Sequence, residues 1–102
     1  MTRPVRWTHE ALGDIKKQIA FIAKEDRAAA LRVADRLRDT AAALGQRAIG
    51  RPGRVAGTYE KSVAGLPYII AYSLAERAGQ EAVVILRVIH TARDWPSDGW
   101  PG

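Results

Sequence analysis

The chain has 102 residues, a length that corresponds to one domain with a single modest core. Sixteen Lys and Arg residues against eleven Asp and Glu residues give a net charge of +5, which favours an anionic partner without choosing among nucleic acid, a membrane surface and an acidic protein. Cysteine is absent, the two histidines lie far apart in sequence, and no apolar run reaches the roughly 18 residues of a membrane span. We therefore expect no disulfide, no metal site, no cofactor and no membrane association. The N-terminus lacks the apolar core of a signal peptide, so a cytoplasmic location is also expected.

The first half of the chain predicts a short strand followed by a helical hairpin. Val5 and Trp7 favour a strand over residues 4–7. Thr8 is placed as the N-cap of a first helix, whose apolar stripe is Leu12, Ile15, Ile19 and Ile22. Asp26 is placed as the cap of a second helix, which is predicted to end at Gly45 and whose apolar stripe is Leu31, Ala34, Leu37, Ala41 and Leu44.

Residues 45–57 are predicted to be the one long irregular stretch. They contain four glycines and one proline, together with Arg47, Arg51 and Arg54 and no acidic residue. We call residues 47–54 the basic loop. Its charge indicates either a solvated loop or a rim that contacts phosphate or an acidic partner, and the sequence leaves both interpretations open.

The second half predicts three antiparallel strands at 58–63, 68–74 and 82–90, with a turn at 64–67 and a polar hairpin loop at 76–81. The last strand is rich in Val and Ile without alternation, which is typical of a strand covered on both faces. It contains Arg87 and ends at His90, and strand alternation places these two side chains on opposite faces. The tail, residues 91–102, carries Trp95 and Trp100 and is predicted to cover part of the sheet. The order β-α-α-β-β-β predicts a single α+β domain of two layers over residues 1–102.

Five blocks in this order resemble the RelE/ParE toxins of bacterial type II toxin–antitoxin modules, most closely the ParE branch. They are VRW at 5–7, GRPGRV at 50–55, GTYE at 57–60, PYIIAY at 67–72 and ILRVIHTARDWP at 85–96, the last being the most specific. The resemblance implies a helical hairpin packed on a mainly antiparallel sheet. It also implies a cognate ParD-like antitoxin that wraps the toxin with a segment that folds on binding. We expect that antitoxin to be acidic and to dock in an apolar groove beside the hairpin.

The resemblance implies two alternative activities, because ParE-like members are described as poisoning DNA gyrase whereas RelE-like members cut messenger RNA on the ribosome. We favour a toxin that inhibits gyrase by binding, with no catalytic residue. Its target-binding surface would comprise the basic loop and the end of the last strand with its tail. The residues predicted to bind the target are Arg51, Arg54, Arg87, His90, Arg93 and Trp95.

The nuclease alternative needs a base, an acid and a phosphate clamp, for which Glu60, His90 and Arg87 are the candidates. Residues 66–68 lack the arginine that active RelE-like members usually carry near the start of the third strand. Each candidate also has a structural interpretation. Glu60 and Arg87 would form a cross-sheet ion pair, and His90 would bond to the tail. A third hypothesis is an inactive homologue that only binds its antitoxin.

Overall fold

Two helices pack against one face of a five-stranded sheet in the computed structural model, which describes residues 2–92. In chain order the elements are β1 (Val5–Trp7), α1 (His9–Ala23), α2 (Arg27–Gln46), β2 (Arg51–Pro52), β3 (Tyr59–Ser62), β4 (Tyr68–Arg77) and β5 (Gln80–His90). The strands lie in the order β1-β5-β4-β3-β2. The predicted α+β fold, with a helical hairpin on a mainly antiparallel sheet, is confirmed.

Both helices begin where the sequence predicts. The Thr8 hydroxyl accepts a hydrogen bond from the Ala11 N–H at 3.1 Å, and the Asp26 carboxylate accepts one from the Ala29 N–H at 2.9 Å. Each cap satisfies an amide that has no partner inside its helix. Short polar residues before an apolar periodicity are therefore reliable markers of both helix starts in this chain.

The predicted apolar stripes are wider than the surfaces that the helices bury. The side of α2 that packs on the sheet contributes Leu37, Ala41 and Leu44 to the core. Leu31 lies about two turns earlier, beyond that contact, and is 67% exposed, so its predicted burial is wrong. Leu12 of α1 is likewise 45% exposed.

The prediction that the second helix ends at Gly45 is wrong, because α2 continues to Gln46. Gly45 is buried, and its carbonyl accepts a hydrogen bond from the Arg3 N–H at 2.7 Å. A Cβ at this position would lie 2.6 Å from the Arg3 carbonyl oxygen, closer than packing allows. Glycine is used here for close approach of the N-terminal segment to the helix, which the local sequence does not reveal.

The β4–β5 hairpin is longer than predicted. Residues 76–81 are not a loop, because β4 runs to Arg77 and β5 begins at Gln80, and these two residues pair with each other. The turn consists of Ala78 and Gly79, both at positive φ (54° and 76°). Two such residues form the tight turn that matches the twist of a hairpin, so polar residues at the end of a hairpin do not indicate a loop.

The stretch 45–57 is also more regular than predicted. β2 pairs antiparallel with β3 through Arg51↔Glu60 and Pro52↔Tyr59. β2 lies at the edge of the sheet, where a proline without an N–H is tolerated. This short pairing attaches the basic loop to the sheet.

β5 is bordered by strands on both sides and carries much of the core. It pairs parallel with β1, with Val5 opposite Val83, and antiparallel with β4. The register shifts where Ala71 pairs with Arg87 but Tyr72 pairs with Ile85, which leaves Leu86 as a bulge. The residues of β5 that are buried, on both of its faces as predicted for a strand of this composition, are Ala82, Val83, Ile85, Val88 and Ile89.

Candidate functional site

The basic loop carries its arginines outward. Arg51, on β2, has a side chain that is 62% exposed, and Arg54 is also exposed. After Arg54 the chain turns back to β3, with the Gly53 N–H donating to the Thr58 carbonyl at 2.8 Å and the Thr58 hydroxyl donating to the Val55 carbonyl at 2.6 Å. The loop is therefore a folded turn that presents cations at one edge of the sheet.

Glu60 lies beneath this loop, with a side chain that is only 3% exposed. Its Oε2 accepts a hydrogen bond from the Arg54 backbone N–H at 2.8 Å. Its Oε1 lies 3.6 Å from Nη2 of Arg51. Both oxygens of this buried carboxylate therefore face the basic loop.

Tyr72, stacked on Tyr59, packs beside Gly50 of the same loop. The rings of Tyr59 and Tyr72 stack with centroids 5.5 Å apart, and a Cβ added at Gly50 would lie 2.9 Å from the Tyr72 hydroxyl oxygen. Burial raises the pKa of Tyr72 above its ordinary value of 10.0, the neighbouring Tyr59 raises it further, and Arg3 acts in the opposite direction. Tyr72 is 1% exposed and belongs to the core.

Arg87 is held by Asp14 of α1. Its Nε donates to Asp14 Oδ2 at 2.8 Å and its Nη2 donates to Oδ1 at 3.1 Å, while the Val88 N–H donates to the same Oδ2 at 2.9 Å. The two charged side chains are 20% and 15% exposed. The interpretation of Glu60 and Arg87 as one cross-sheet ion pair is wrong, because each side chain has a different partner. Sequence reasoning missed Asp14; the available signal was an acidic residue inside α1 next to Ile15 of the apolar stripe.

His90 ends β5 and is half-buried. Its ring meets Tyr68 edge to face, with centroids 5.2 Å apart and an interplanar angle of 90°. Its Nδ1 accepts a hydrogen bond from the Ala92 N–H at 3.2 Å. The interpretation of His90 as a strand-terminal residue that bonds to the following segment is confirmed.

The three nuclease candidates do not lie at one place in the sheet. Glu60 and Arg87 both align with Ala71 across the sheet, whereas His90 pairs with Tyr68 three positions away. The bulge at Leu86 precedes Arg87, so regular alternation puts Arg87 and His90 on opposite faces of β5. The remaining predicted site residues, Arg93 and Trp95, lie outside the described residues, as does most of the tail that was predicted to cover the sheet.

A groove of about 420 Å³ runs between α2 and β3, beside the helical hairpin. Ala43, Leu44 and Ile49 supply apolar surface to it, and its charged lining residues are Arg47, Lys61 and Asp39. Ile49 is 48% exposed. An apolar groove therefore lies beside the hairpin, and docking of an antitoxin in it stays a prediction.

Within residues 2–92, no group of three or more His, Asp or Glu side chains is arranged to hold a metal ion. Neither helix of this part of the chain is long and apolar enough to cross a membrane.

Comparison with known proteins gives the class. Residues 5–95 match the family model described as "ParE toxin of type II toxin-antitoxin system, parDE". A curated relative, "Putative toxin Y4kP" of Sinorhizobium fredii (strain NBRC 101917 / NGR234), is 40% identical over 93 residues, which cover 90% of this chain and 92% of the relative. A solved structure, "Chromosomal ParDE TA system from P. aeruginosa", superposes with a TM-score of 0.74 at 20% identity, covering 85% of this chain and 94% of the other, and shows that the fold is shared.

The chain belongs to the ParE toxin family. It is a ParE-type toxin of a type II toxin–antitoxin system, and membership of the family implies an antitoxin partner. The resemblance to the ParE branch drawn from the five sequence blocks is confirmed.

Proposed function

We propose that this ParE-type toxin inhibits DNA gyrase by binding it in the bacterial cytoplasm. The target-binding surface comprises the basic loop and the end of β5 with the segment after it, residues 87–95. The observation that carries the proposal is the pair of exposed arginines, Arg51 and Arg54, on a loop fixed to a buried carboxylate. Exposed arginines on a rigid support are frequent anchors of protein interfaces.

The roles of the other predicted site residues follow from their contacts. Arg87 contributes to the target surface mainly by fixing the end of β5, since its guanidinium is engaged by Asp14. His90 shapes the chain that leads into Arg93 and Trp95 through its bond to the Ala92 N–H. A binding mechanism needs no proton transfer, which agrees with a Glu60 carboxylate that accepts a backbone hydrogen bond.

Neutralisation by an acidic, ParD-like antitoxin is the second part of the proposal. The groove between α2 and β3 offers apolar surface with Arg47 and Lys61 beside it. An acidic segment that folds on binding would bury its apolar side chains there and pair its carboxylates with these cations. The net charge of +5 supports a partner of opposite charge.

The test is a supercoiling assay with purified gyrase, relaxed plasmid and increasing toxin. We expect inhibition by the wild-type protein, and we expect the R51A/R54A variant to need about a hundredfold more protein or more for half-inhibition, because two arginine anchors are removed together. The matched control is R27A/R32A, which removes two exposed arginines from α2 and should change the midpoint by less than about twofold.

Other outcomes identify the alternatives. No inhibition at a large molar excess of toxin contradicts the proposal. Cleavage of ribosome-bound messenger RNA, abolished by Glu60→Gln or Arg87→Ala, establishes the nuclease alternative instead. Tight binding of the antitoxin without growth arrest when the toxin is expressed alone indicates an inactive homologue.

A further inference from the structure

We infer that Glu60 is a positioning residue, which fixes the basic loop on β3 so that Arg51 and Arg54 face the target in one arrangement. The inference rests on the proposed function and adds to it the device that orders the target-binding surface. Glu60 itself lies too deep to contact a macromolecule, with 3% of its side chain exposed.

Because Glu60 is buried, its carboxylate oxygens need polar partners close by. A carboxylate withdrawn from water is destabilising unless its oxygens find polar partners on the spot. In β3 the two neighbours of Glu60, Tyr59 and Lys61, are partly exposed, while Glu60 is buried. Both contacts that its oxygens make lie in the basic loop, at Arg54 and Arg51. A carboxylate placed in this way ties the loop to the sheet.

The two contacts differ in strength, which identifies the one that holds the loop. The bond from the Arg54 N–H to Oε2 is short, at 2.8 Å, and is assisted by the carboxylate charge. The Arg51 guanidinium is 3.6 Å away, beyond hydrogen-bond distance, and is 62% exposed, so solvent screens it. The backbone contact therefore does most of the positioning. A side-chain oxygen without charge should preserve much of it.

Close packing at two glycines of the basic loop supports the same conclusion. A Cβ at Gly50 would lie 2.8 Å from the Glu60 carbonyl oxygen. A Cβ at Gly53 would collide with the Thr58 hydroxyl and lie 3.3 Å from Glu60 Oε2. The backbone of the loop thus approaches β3 more closely than a chain with side chains at these positions would allow. The Glu60 carboxylate and the two glycines together hold the basic loop against β3.

A fixed loop improves binding because its arginines have already lost the freedom that binding would remove. If the loop is released, the same cations are present but must be ordered by the target. We therefore expect weaker inhibition when Glu60 is truncated, although neither arginine has been changed.

The central experiment compares Glu60→Ala with Glu60→Gln in the gyrase supercoiling assay. Alanine should raise the half-inhibitory concentration about ten- to a hundredfold, the effect expected from loss of a charge-assisted hydrogen bond. Glutamine keeps an acceptor oxygen for the Arg54 N–H and should stay within about tenfold of wild type, because only the charge assistance is lost. The matched control is Glu81→Ala, which removes an exposed carboxylate of β5 that pairs with Arg3.

A readout without gyrase separates this inference from the proposed function. Amide hydrogen exchange at Arg54 should be at least about tenfold faster in Glu60→Ala than in the wild type, and close to wild type in Glu60→Gln. If the wild-type toxin does not inhibit gyrase, the proposed function fails, and the exchange rates still decide whether Glu60 holds the loop. If the Arg54 amide is equally protected in Glu60→Ala, the positioning role is overturned.

A mutant cycle tests whether Glu60 acts through the arginines. In the R51A/R54A background the loop lacks the two arginines that Glu60 positions, so adding Glu60→Ala should cause no further loss of inhibition. A second loss equal to that in the wild-type background would show that Glu60 acts independently of these side chains. Equal inactivation by Glu60→Gln and Glu60→Ala, with the Arg54 amide still protected in the glutamine variant, would also overturn the inference.

Gly53→Ala tests the attachment of the basic loop to β3 while the Glu60 carboxylate stays in place. This variant is needed if Glu60→Ala fails to fold. The added methyl would collide with the Thr58 hydroxyl, so the turn must open and the Arg54 amide should exchange faster. Inhibition should weaken along with it. Gly13→Ala is the matched control, since a Cβ there has nothing within 4 Å, and it should leave both readouts unchanged. Unaltered inhibition by Gly53→Ala with a demonstrably opened turn would contradict the inference.

Discussion

The carboxylate of Asp14 shows how one side chain can complete a sheet. β1 ends at Trp7, after which Thr8 covers the edge of β5 by hydrogen bonds to the carbonyls of Ile85 and Leu86. Beyond that point no strand within residues 2–92 borders β5 on this side, and Asp14 of α1 accepts the Val88 N–H instead. The same oxygens neutralise Arg87. One carboxylate thus provides acceptors for both the Val88 amide and the Arg87 guanidinium, which favours a structural contribution of Arg87.

Replacing Asp14 tests this role. Asp14→Ala should lower the free energy of unfolding by about 2–3 kcal/mol, because it removes two charge-assisted hydrogen bonds to the Arg87 guanidinium and the acceptor of the Val88 N–H. Asp14→Asn should lose less, since the amide oxygen can still accept the Val88 N–H. Urea denaturation followed by circular dichroism gives the values.

The matched control for Asp14 is Asp35→Ala, which breaks an exposed pair with Arg38 at 3.3 Å on one helix. Such a pair contributes less than about 0.5 kcal/mol. Equal losses for Asp14→Ala and Asp35→Ala would contradict the structural role of the Asp14–Arg87 pair.

At the scale of elements, the helices and the strands differ in how much of them could be predicted. Helix starts depend on local chemistry, so the Thr8 and Asp26 caps and most of the apolar stripe of α2 followed from the sequence. The β5 run was equally clear from its Val and Ile content. The parallel pairing of β1 and the partner of Arg87 could not be predicted, because each contact joins residues more than 70 positions apart. Arg51 and Arg54 were recognisable from composition, whereas the buried Glu60 contact beneath them depends on folded backbone geometry.

Gly45 provides a prediction about how the N-terminal segment is attached to α2. Gly45→Ala should destabilise the protein by about 1–3 kcal/mol, because the new methyl would lie 2.6 Å from the Arg3 carbonyl oxygen and 2.9 Å from Val5 Cγ2. The same substitution at Gly13 should stabilise it by about 0.5–1 kcal/mol, since alanine favours a helix and meets no atom there. Thermal unfolding of both variants measures the difference. A stabilised Gly45→Ala variant would show that the close approach is not maintained in solution.

For the whole molecule, burial of Tyr72 in the core makes the stability of the fold depend on pH in the alkaline range. At pH values below its ordinary pKa of 10.0, Tyr72 keeps its proton in both the folded and the unfolded state, so the folding equilibrium is not affected. Above that pKa the unfolded chain releases the proton while the folded protein, whose Tyr72 pKa is raised by burial, retains it. Stability should therefore fall as the pH rises through 10 towards the raised pKa, by at most about 1.4 kcal/mol per pH unit from this group.

Tyr72→Phe isolates this effect. The variant should lose less stability than the wild type between neutral pH and pH 11, because the group that ionises only on unfolding has been removed. Urea unfolding at a series of pH values compares the two slopes. Parallel slopes for the two proteins would show that Tyr72 does not control the alkaline limit.

The placement of β5 between β1 and β4 has a consequence for biosynthesis. Val5 leaves the ribosome early, yet the strand that receives it contains Val83, 78 positions later. Until β5 emerges, neither β1 nor β4 can pair with it. The helical hairpin, whose contacts are local, can already assemble. We expect a growing chain to remain without toxic activity until β5 has been translated.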